Sequence, residues 1–196
     1  MANKALSLGS LGSAAAGIVV SGATNATPIV ITLNAGHGLK NGDRLAIAGV
    51  TGNTNANGEW TLASVGATTA TLLGSAGNGT FGGTVRAAVI LDATPTMRNH
   101  SAALHTFGNA VATVDIEAYE SYSDFANGFN TSGAIAPVLS PSFGTNSAGS
   151  ASTPAKTTFS AAATNAGQVA EVKLARYMRA VATAWTSGTF GAVVEA

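Results

Sequence analysis

Glycine and threonine are spread through the whole chain, 24 residues of each among 196, and this distribution strongly constrains the fold. Neither residue favours the interior of a helix, because glycine costs backbone entropy and threonine is branched at its β-carbon. Stretches with the apolar spacing of an amphipathic helix, about eleven residues or longer, are scarce. Short runs of alternating or β-branched residues between clusters of Gly, Asn and Ser are frequent instead. This pattern predicts an all-β protein.

Charged residues are few and balanced. Nine Lys and Arg offset nine Asp and Glu, and together they make up 9% of the chain. We therefore expect neither a nucleic-acid-binding protein nor a membrane-surface protein, since both need clustered Lys and Arg. The sequence has no run of 18 apolar residues that would predict a transmembrane helix. It also has no cysteine, which excludes disulfides and Cys-based zinc sites, and we expect no cofactor.

The apolar residues predict a thin core. Forty of them are alanine, whereas Leu, Ile, Val and Phe together contribute 42 residues. A small chain with so little bulky apolar surface has a modest core. Its low charge also removes the repulsion that keeps small monomers apart. We therefore expect a subunit that neighbours cover, in a symmetric homo-oligomer, with a trimer as the specific expectation.

Residues 1–26 are small and polar to weakly apolar, which predicts an N-terminal arm with little structure of its own. Within it, residues 6–20 follow a lysine, as the apolar region of a signal peptide does. Gly and Ser interrupt that stretch every few residues, which weakens this interpretation. We favour a flexible or docking arm.

Residues 27–86 have the pattern of a small β-barrel-like module. Five short strands are expected in or directly after this segment, separated by turn and loop sequences. Asn41-Gly42 is a strong signal for a tight turn. The glycine-rich segment 74–83 does not follow the phosphate-binding pattern and is interpreted as a loop. The expected strands are 28–33, 44–50, 59–65, 69–73 and 84–91.

Residues 87–196 are expected to form a β-sandwich-like module. The last two strands, 176–185 and 189–195, are expected to form a hairpin around the turn Thr186-Ser187-Gly188. Residues 119–129 are ambiguous between a helical turn and an aromatic loop, and residues 144–154 read as a low-complexity loop. The other expected strands are 111–118, 135–139, 157–160 and 168–174.

The order of turns in residues 36–83 carries a resemblance to a known module. A His-Gly-Leu turn, an Asn-Gly-Asp turn, an Asn-x-Asn-Gly-x-Trp-x-Leu strand and a closing Gly-Asn-Gly-x-Phe-x-Gly-Gly loop follow one another. This segment resembles the small β-barrel module in the first catalytic-cysteine half-domain of ubiquitin-activating enzymes. Similar modules recur in structural proteins of tailed phages and prophages. The resemblance implies no ubiquitin chemistry, because that module is not the catalytic part and this chain has no cysteine.

The C-terminal region carries a looser resemblance of the same kind. The segments VATVDIEA at 111–118, AGQV at 166–169 and RYMRAVATAWTSGTFGAVV at 176–194 follow an order seen in β-sandwich modules of phage virion proteins. Together the two resemblances imply a phage or prophage virion protein, without indicating its position in the particle.

The histidines and acidic residues are the candidates for chemistry. His37 lies between two glycines and is interpreted as part of a turn. His100 and His105, with Asp92 upstream, fit a metal site poorly, because their spacing suits neither a helix face nor a strand face. No metal site or catalytic residue is therefore expected.

An acidic cluster comprises Asp115, Glu117, Glu120 and Asp124. Asp115 and Glu117 fall on one face of an expected strand. Paired carboxylates can serve glycoside hydrolysis or bind calcium. The alternation with apolar residues favours a solvated strand face with an acidic rim.

The aromatic residues divide into two groups. The segment containing Tyr119, Tyr122, Phe125 and Phe129 is interleaved with acidic residues and is expected to be a partner-docking surface, with a carbohydrate-contacting loop as the alternative. The remaining aromatic candidates are expected to be core residues: Trp60, Phe81, Tyr177, Trp185 and Phe190.

These observations predict a non-enzymatic structural protein located in a tailed-phage virion. The leading expectation is a capsid decoration, or cement, protein that binds the major capsid protein on the outer shell. The alternatives are a tail, baseplate or fibre component that contacts neighbouring rings or the host surface, a carbohydrate-binding module, and a hydrolase that uses the acidic cluster. A host glycan is a further candidate partner. The short chain and its small-residue arm favour the capsid decoration protein over these alternatives.

Overall fold

The computed structural model describes residues 5–11, 17–91, 101–108, 111–119, 121–127, 156–159, 168–173, 176–187 and 189–195. In this part of the chain, strands predominate and confirm the all-β prediction. The helical elements found there are α1, Tyr122–Asn127, and a 3-10 turn at Thr54–Ala56. The strands are β1 (Ala5–Leu11), β2 (Val20–Ala23), β3 (Val30–Leu33), β4 (Arg44–Ala48), β5 (Thr51–Gly52), β6 (Gly58–Ala63), β7 (Thr69–Leu72), β8 (Phe81–Gly82), β9 (Arg86–Ile90), β10 (Ser101–Gly108), β11 (Val111–Tyr119), β12 (Lys156–Phe159), β13 (Gln168–Lys173), β14 (Tyr177–Ser187) and β15 (Phe190–Glu195).

Most of these strands belong to two antiparallel sheets. The larger sheet has nine strands in the order β12-β11-β14-β9-β4-β6-β7-β3-β2. The smaller has four, in the order β1-β15-β10-β13, and β5 pairs separately with β8. The pairing of β9 with both β4 and β14 makes the larger sheet continuous.

The middle of the central strand of the larger sheet, β4, is apolar on both faces. In β4, Leu45 and Ile47 belong to one hydrophobic cluster, whereas Ala46 and Ala48 belong to another. In an antiparallel sheet with one solvated face, polar residues would alternate with apolar ones. Alternation of large and small apolar side chains instead gives a strand that is buried on both sides.

The first cluster lies between the two sheets. It combines residues of the larger sheet, such as Val89 and Met178, with Leu8 of β1 and Ala192 of β15 from the smaller sheet. The second cluster lies on the opposite face of the larger sheet, where α1 supplies Phe125. The two-layer arrangement and the short helix therefore leave the middle of the larger sheet covered on both sides.

The expectation of an N-terminal arm with little structure is wrong for the described residues of that segment. Strand β1 pairs with β15 near the end of the chain, and β2 pairs with β3. Leu8 is fully buried, and Ile18 and Val20 belong to the same core. A strand built from Leu, Ser and Gly lacks a strong local signal, and here distant pairing determines its structure.

The expected C-terminal hairpin is also wrong. Strands β14 and β15 lie in different sheets, since β14 pairs with β11 and β9 whereas β15 pairs with β1 and β10. Turn residues between two apolar strands mark a hairpin, but they serve equally well where the chain passes from one sheet to the other. The local sequence does not distinguish these two cases.

Several other sequence-based boundaries can be compared with the structure. The expected strands at 44–50, 59–65, 69–73, 111–118, 157–160 and 168–174 correspond to observed strands, with small shifts at their ends. Residue 86, the expected end of the first module, is the first residue of β9, and the sheet continues across it. The division into modules stays a prediction. The expected strand at 135–139 and the loop at 144–154 lie outside the described residues.

Candidate functional site

The outer face of the larger sheet carries two clusters of charged residues beside the second apolar cluster. The chain has nine basic and nine acidic residues, and six of them lie in these clusters. They are Arg86, Glu117 and Arg179 in the first, and Arg44, Glu59 and Arg176 in the second. This concentration of charge makes the face the candidate functional site.

In the first cluster, a single carboxylate faces two arginines. Glu117 of β11 lies directly opposite Arg179 of β14 in the sheet register. Its Oε2 accepts a hydrogen bond from the Tyr119 hydroxyl at 2.6 Å and one from Arg86 Nη2 at 3.2 Å. Arg86 Nη2 also donates to the Tyr119 hydroxyl oxygen at 2.6 Å. Glu117 of β11 therefore contacts side chains from two other strands of the sheet, β9 and β14.

Arg179 is less well satisfied than its neighbours. Its Nε lies 3.3 Å from Glu117 Oε2, which is close enough for an ion pair but has the wrong angle for a hydrogen bond. Arg179 Nε and Nη1, together with Arg86 Nε, are buried nitrogens without a hydrogen-bond partner among the described residues. Burial lowers the pKa of Arg179, Glu117 opposes that change and the positive charge of Arg86 adds to it.

The second cluster is fully hydrogen-bonded around Glu59 of β6. Glu59 Oε2 accepts from Arg176 Nη2 at 2.7 Å and from Arg44 Nη2 at 2.9 Å. Glu59 Oε1 accepts from the Tyr177 hydroxyl at 2.6 Å. Burial tends to raise the pKa of Glu59, but the hydrogen bonds from Tyr177 and Arg176 and the two positive charges outweigh it, so the net pKa is lowered.

An aromatic cluster lies between the two charged clusters. Phe125 of α1 stacks on Tyr177 with ring centroids 5.9 Å apart, and it meets Tyr119 edge-on at 6.0 Å. Tyr122 packs against the same rings, and its hydroxyl donates to the Ile47 carbonyl oxygen at 2.6 Å. Burial raises the pKa of Tyr119, and the Glu117 carboxylate adds to the rise.

This arrangement corrects the prediction of an aromatic docking surface. Tyr119 and Phe125 are fully buried, and Tyr122 is half-buried with its hydroxyl bound to β4. Their apolar surface is used to attach α1 to the sheet. Phe129, the fourth predicted docking residue, lies outside the described residues.

The predicted core aromatics have different positions. Tyr177 is buried in the second apolar cluster, as predicted. Trp60 and Phe81 are only partly buried, at the edge of the first apolar cluster. Trp60 Nε1 donates to the Ala56 carbonyl oxygen at 2.9 Å. Trp185 lies in β14 and Phe190 in β15, but their side chains are outside the described part of the structure.

The interpretation of His37 as a turn residue is confirmed. Its Nδ1 accepts from the Leu39 backbone N–H at 3.0 Å, and its Nε2 lies 3.1 Å from the Gly66 carbonyl oxygen. One ring nitrogen is thus used within the loop, and the other contacts the turn between β6 and β7. His105 lies in β10, and its side chain, like His100 and Asp92, is not among the described features. Among the described residues, no group of three His, Cys, Asp or Glu could hold a metal ion.

The predicted solvated acidic face is wrong for Glu117. Only 16% of its side chain is exposed, and its Oε2 already receives two hydrogen bonds and an ion pair. Asp124 instead lies in the first turn of α1, which Ser121 caps: the Ser121 hydroxyl accepts from the Asp124 backbone N–H at 3.1 Å and donates to the Asp124 carboxylate at 2.7 Å. Asp115 lies in β11 opposite Lys156 and Val181 in the register, and Glu120 lies outside the described residues.

The arginines of these clusters are not among the site residues that the sequence predicts. Arg179 lies in the apolar first half of β14, between Met178 and Ala180, which are both buried. In a chain with 9% charged residues, an arginine inside an apolar strand is an available signal. A buried charge requires a partner, so such an arginine predicts a carboxylate or another anion next to it.

Comparisons of the chain with protein-family models, with curated proteins and with solved structures give no match. In the part of the chain that the structure describes, no helix is long and apolar enough to cross a membrane.

Proposed function

We propose that the chain is a non-enzymatic structural protein of a tailed-phage particle, and specifically a capsid decoration protein on the outer shell. The ordered turns of residues 36–83 and the C-terminal strand pattern support the phage assignment, since both resemble modules of virion proteins. The proposal that the protein is structural and not an enzyme depends on one observation: the two glutamates of the candidate site, Glu59 and Glu117, are bonded to side chains of neighbouring strands.

Glu59 and Glu117 act as cross-links between strands. Glu59 joins β6 to Arg44 of β4 and to Arg176, which directly precedes β14. Glu117 joins β11 to Arg86 of β9 and Arg179 of β14. A general acid or nucleophile needs an oxygen that is available to substrate. Oxygens that already accept short hydrogen bonds from Tyr119, Tyr177 and the arginines are better suited to holding the sheet together.

The pairing of β1 with β15 supports a rigid building block. The pairing runs from Ala5↔Glu195 to Leu11↔Phe190 and joins residues that are far apart in the sequence. A rigid body is suited to repeated placement on a symmetric lattice, where homo-oligomers are common. The proposed partners are the major capsid protein and further copies of this chain, with a trimer as the proposed oligomer.

The number of copies per particle tests the proposal. We would purify particles of the phage or prophage that encodes the chain and measure the chain's stoichiometry against the major capsid protein by quantitative gel densitometry, with a tail-tube protein from the same particles as the control. A ratio near one, or a simple lattice fraction such as one third, supports a decoration protein. A count similar to that of the tail-tube protein or lower assigns the chain to the tail, baseplate or a fibre. Absence from the particle rejects the virion proposal and favours the carbohydrate-binding alternative.

A further inference from the structure

We propose that Arg179 and Arg86, together with Glu117, form a binding site for one carboxylate group. Relative exposure of Arg179 is 9%, and its Nε and Nη1 have no hydrogen-bond partner among the described residues. Arg86 Nε, in the same cluster, is buried and unpartnered as well. Buried polar atoms in proteins are nearly always paired, so three orphaned nitrogens around one charge cluster need an explanation.

The charge balance of the cluster indicates an anion. Two guanidinium groups face the single carboxylate of Glu117, which leaves one positive charge uncompensated among the described residues. A buried cation without a counter-ion is strongly unfavourable, because burial removes its hydration. One added carboxylate neutralises the cluster, whereas a phosphate dianion would leave it with a negative charge.

The available donors fit a carboxylate. Guanidinium N–H groups donate strong hydrogen bonds to carboxylate oxygens, and Arg179 Nη1 and Arg86 Nε have no hydrogen-bond partner among the described residues. Arg86 and Glu117 are 28% and 16% exposed, so solvent reaches the cluster on their side. A carboxylate that enters there meets Arg179 behind a charged rim. Tyr119 does not compete for it, because its hydroxyl already donates to Glu117.

The Glu59 cluster serves as an internal control. It has the same two-to-one ratio of arginine to carboxylate, but Arg44 and Arg176 are 29% and 36% exposed. Water therefore compensates their excess charge, and no buried nitrogen of this cluster is unpartnered in the described part of the chain. Carboxylate binding should distinguish the two clusters.

The carboxylate has two possible sources, a small free acid or an Asp or Glu side chain of a neighbouring protein. The chemistry at the arginines is the same in both cases. In the second case the site would be one contact of the subunit with its neighbours. The site itself does not depend on the proposed virion function, because it can be measured on the isolated chain.

Arginine side-chain NMR on the full-length protein tests the site directly. The chain has five arginines, so at most five Nε–Hε signals are expected. We would titrate with sodium acetate, and in parallel with sodium chloride at the same ionic strength. Acetate should shift the signals of Arg86 and Arg179 in a saturable way, with a dissociation constant on the order of 1 mM to 100 mM. The signals of Arg44 and Arg176 should stay unchanged.

Two variants and a second ligand complete the test. Arg179→Lys keeps the charge but removes the guanidinium N–H donors, and we expect it to weaken acetate binding about tenfold. Arg44→Lys is the matched variant and should leave acetate binding unchanged. Blocked glutamate, with both backbone ends capped, represents a protein side chain; tighter binding than acetate assigns the site to a neighbouring protein, and weaker binding assigns it to a free acid. The absence of any saturable shift with acetate, or equal shifts with chloride, would overturn the proposal.

Discussion

The backbones of Gly9 and Gly17 approach so closely that a β-carbon on Gly9 would collide with the carbonyl group of Gly17. A β-carbon on Gly17 would in turn meet the carbonyl oxygen of Leu8. Gly17 also donates its N–H to the Ala180 carbonyl oxygen of β14 at 2.8 Å. This hydrogen bond attaches the N-terminal segment to the larger sheet. The two glycines are thus required by packing of backbone against backbone.

Gly9→Ala should therefore destabilise the protein strongly. Gly9 has a φ of +90°, so alanine there suffers both the left-handed conformation and the collision. Gly42→Ala is the matched control, because Gly42 has a φ of +85° but nothing within 4 Å of its added β-carbon. We expect Gly42→Ala to cost about 1 kcal/mol to 2 kcal/mol in unfolding free energy. Gly9→Ala should cost at least about 2 kcal/mol more. If urea denaturation gave the same loss of unfolding free energy for both variants, the close approach of the Gly9 and Gly17 backbones would be contradicted.

Much of the strand content could be predicted because it has local signals. The alternation in β4, with Leu45 and Ile47 two residues apart, and the Asn41-Gly42 turn before it depend only on neighbouring residues. Strand β1 has no comparable signal, since its pairing with β15 joins residues at opposite ends of the chain. Such non-local pairing depends on tertiary packing, which local propensity does not encode.

The candidate site was harder to predict for a related reason. The sequence indicates that Glu117 is one of two carboxylates on one face of a strand, but its environment depends on Arg179, which only the β11–β14 register brings opposite it. Likewise, Tyr119 and Phe125 look like an exposed aromatic loop until α1 folds back onto the sheet. Residue type indicated the chemistry, whereas burial and partner could be read only from the pairing of distant strands.

The N-terminal segment should be needed for folding. Leu8 is fully buried between the sheets, whereas 60% of Leu73 is exposed. We expect Leu8→Ala to lower the unfolding free energy by about 2 kcal/mol to 5 kcal/mol. Leu73→Ala removes the same atoms and should change it by no more than about 0.5 kcal/mol. Thermal and urea denaturation of the two variants measure the difference.

Removal of the whole segment gives a sharper outcome. Deletion of residues 1–26 should prevent formation of a stable fold, because it removes Leu8, Ile18 and Val20 from the core and leaves β15 without one neighbour. A truncated chain that keeps a cooperative unfolding transition at the original midpoint would show instead that the segment is a dispensable arm.

Glu59 should make the protein sensitive to acid. Its pKa is lower in the folded chain, so the unfolded state binds more protons as the pH falls. The stability it contributes is present above its unfolded pKa of about 4.3 and is lost as the pH falls through the folded value. Tyr177→Phe removes the 2.6 Å hydrogen bond to Glu59 Oε1 and should reduce this acid-dependent loss.

Tyr122→Phe is the matched control for the pH experiment. The Tyr122 hydroxyl binds the Ile47 carbonyl oxygen rather than a carboxylate. Its removal should cost about 1 kcal/mol in unfolding free energy with little dependence on pH. Urea denaturation between pH 3 and pH 7 compares the slopes. Parallel curves for wild type and Tyr177→Phe would show that this hydrogen bond does not depress the pKa of Glu59.

Phe125 should contribute to stability rather than to docking. It is fully buried and packs against Tyr177 and Tyr119, so Phe125→Ala should cost about 3 kcal/mol to 5 kcal/mol in unfolding free energy. Trp60 is larger but only partly buried at the edge of its cluster. We therefore expect Trp60→Ala to cost less, about 1 kcal/mol to 3 kcal/mol, including its hydrogen bond to Ala56.

The order of these two losses separates the two interpretations of the aromatic segment. If Phe125 holds α1 on the sheet, Phe125→Ala lowers stability more than Trp60→Ala does, and Phe125→Leu restores much of the loss because it refills the cavity. If the segment were an exposed docking surface, Phe125→Ala would leave the unfolding midpoint unchanged and weaken only binding to the particle. Chemical denaturation of the three variants, followed by tryptophan fluorescence for the Phe125 variants and by circular dichroism for Trp60→Ala, decides between them.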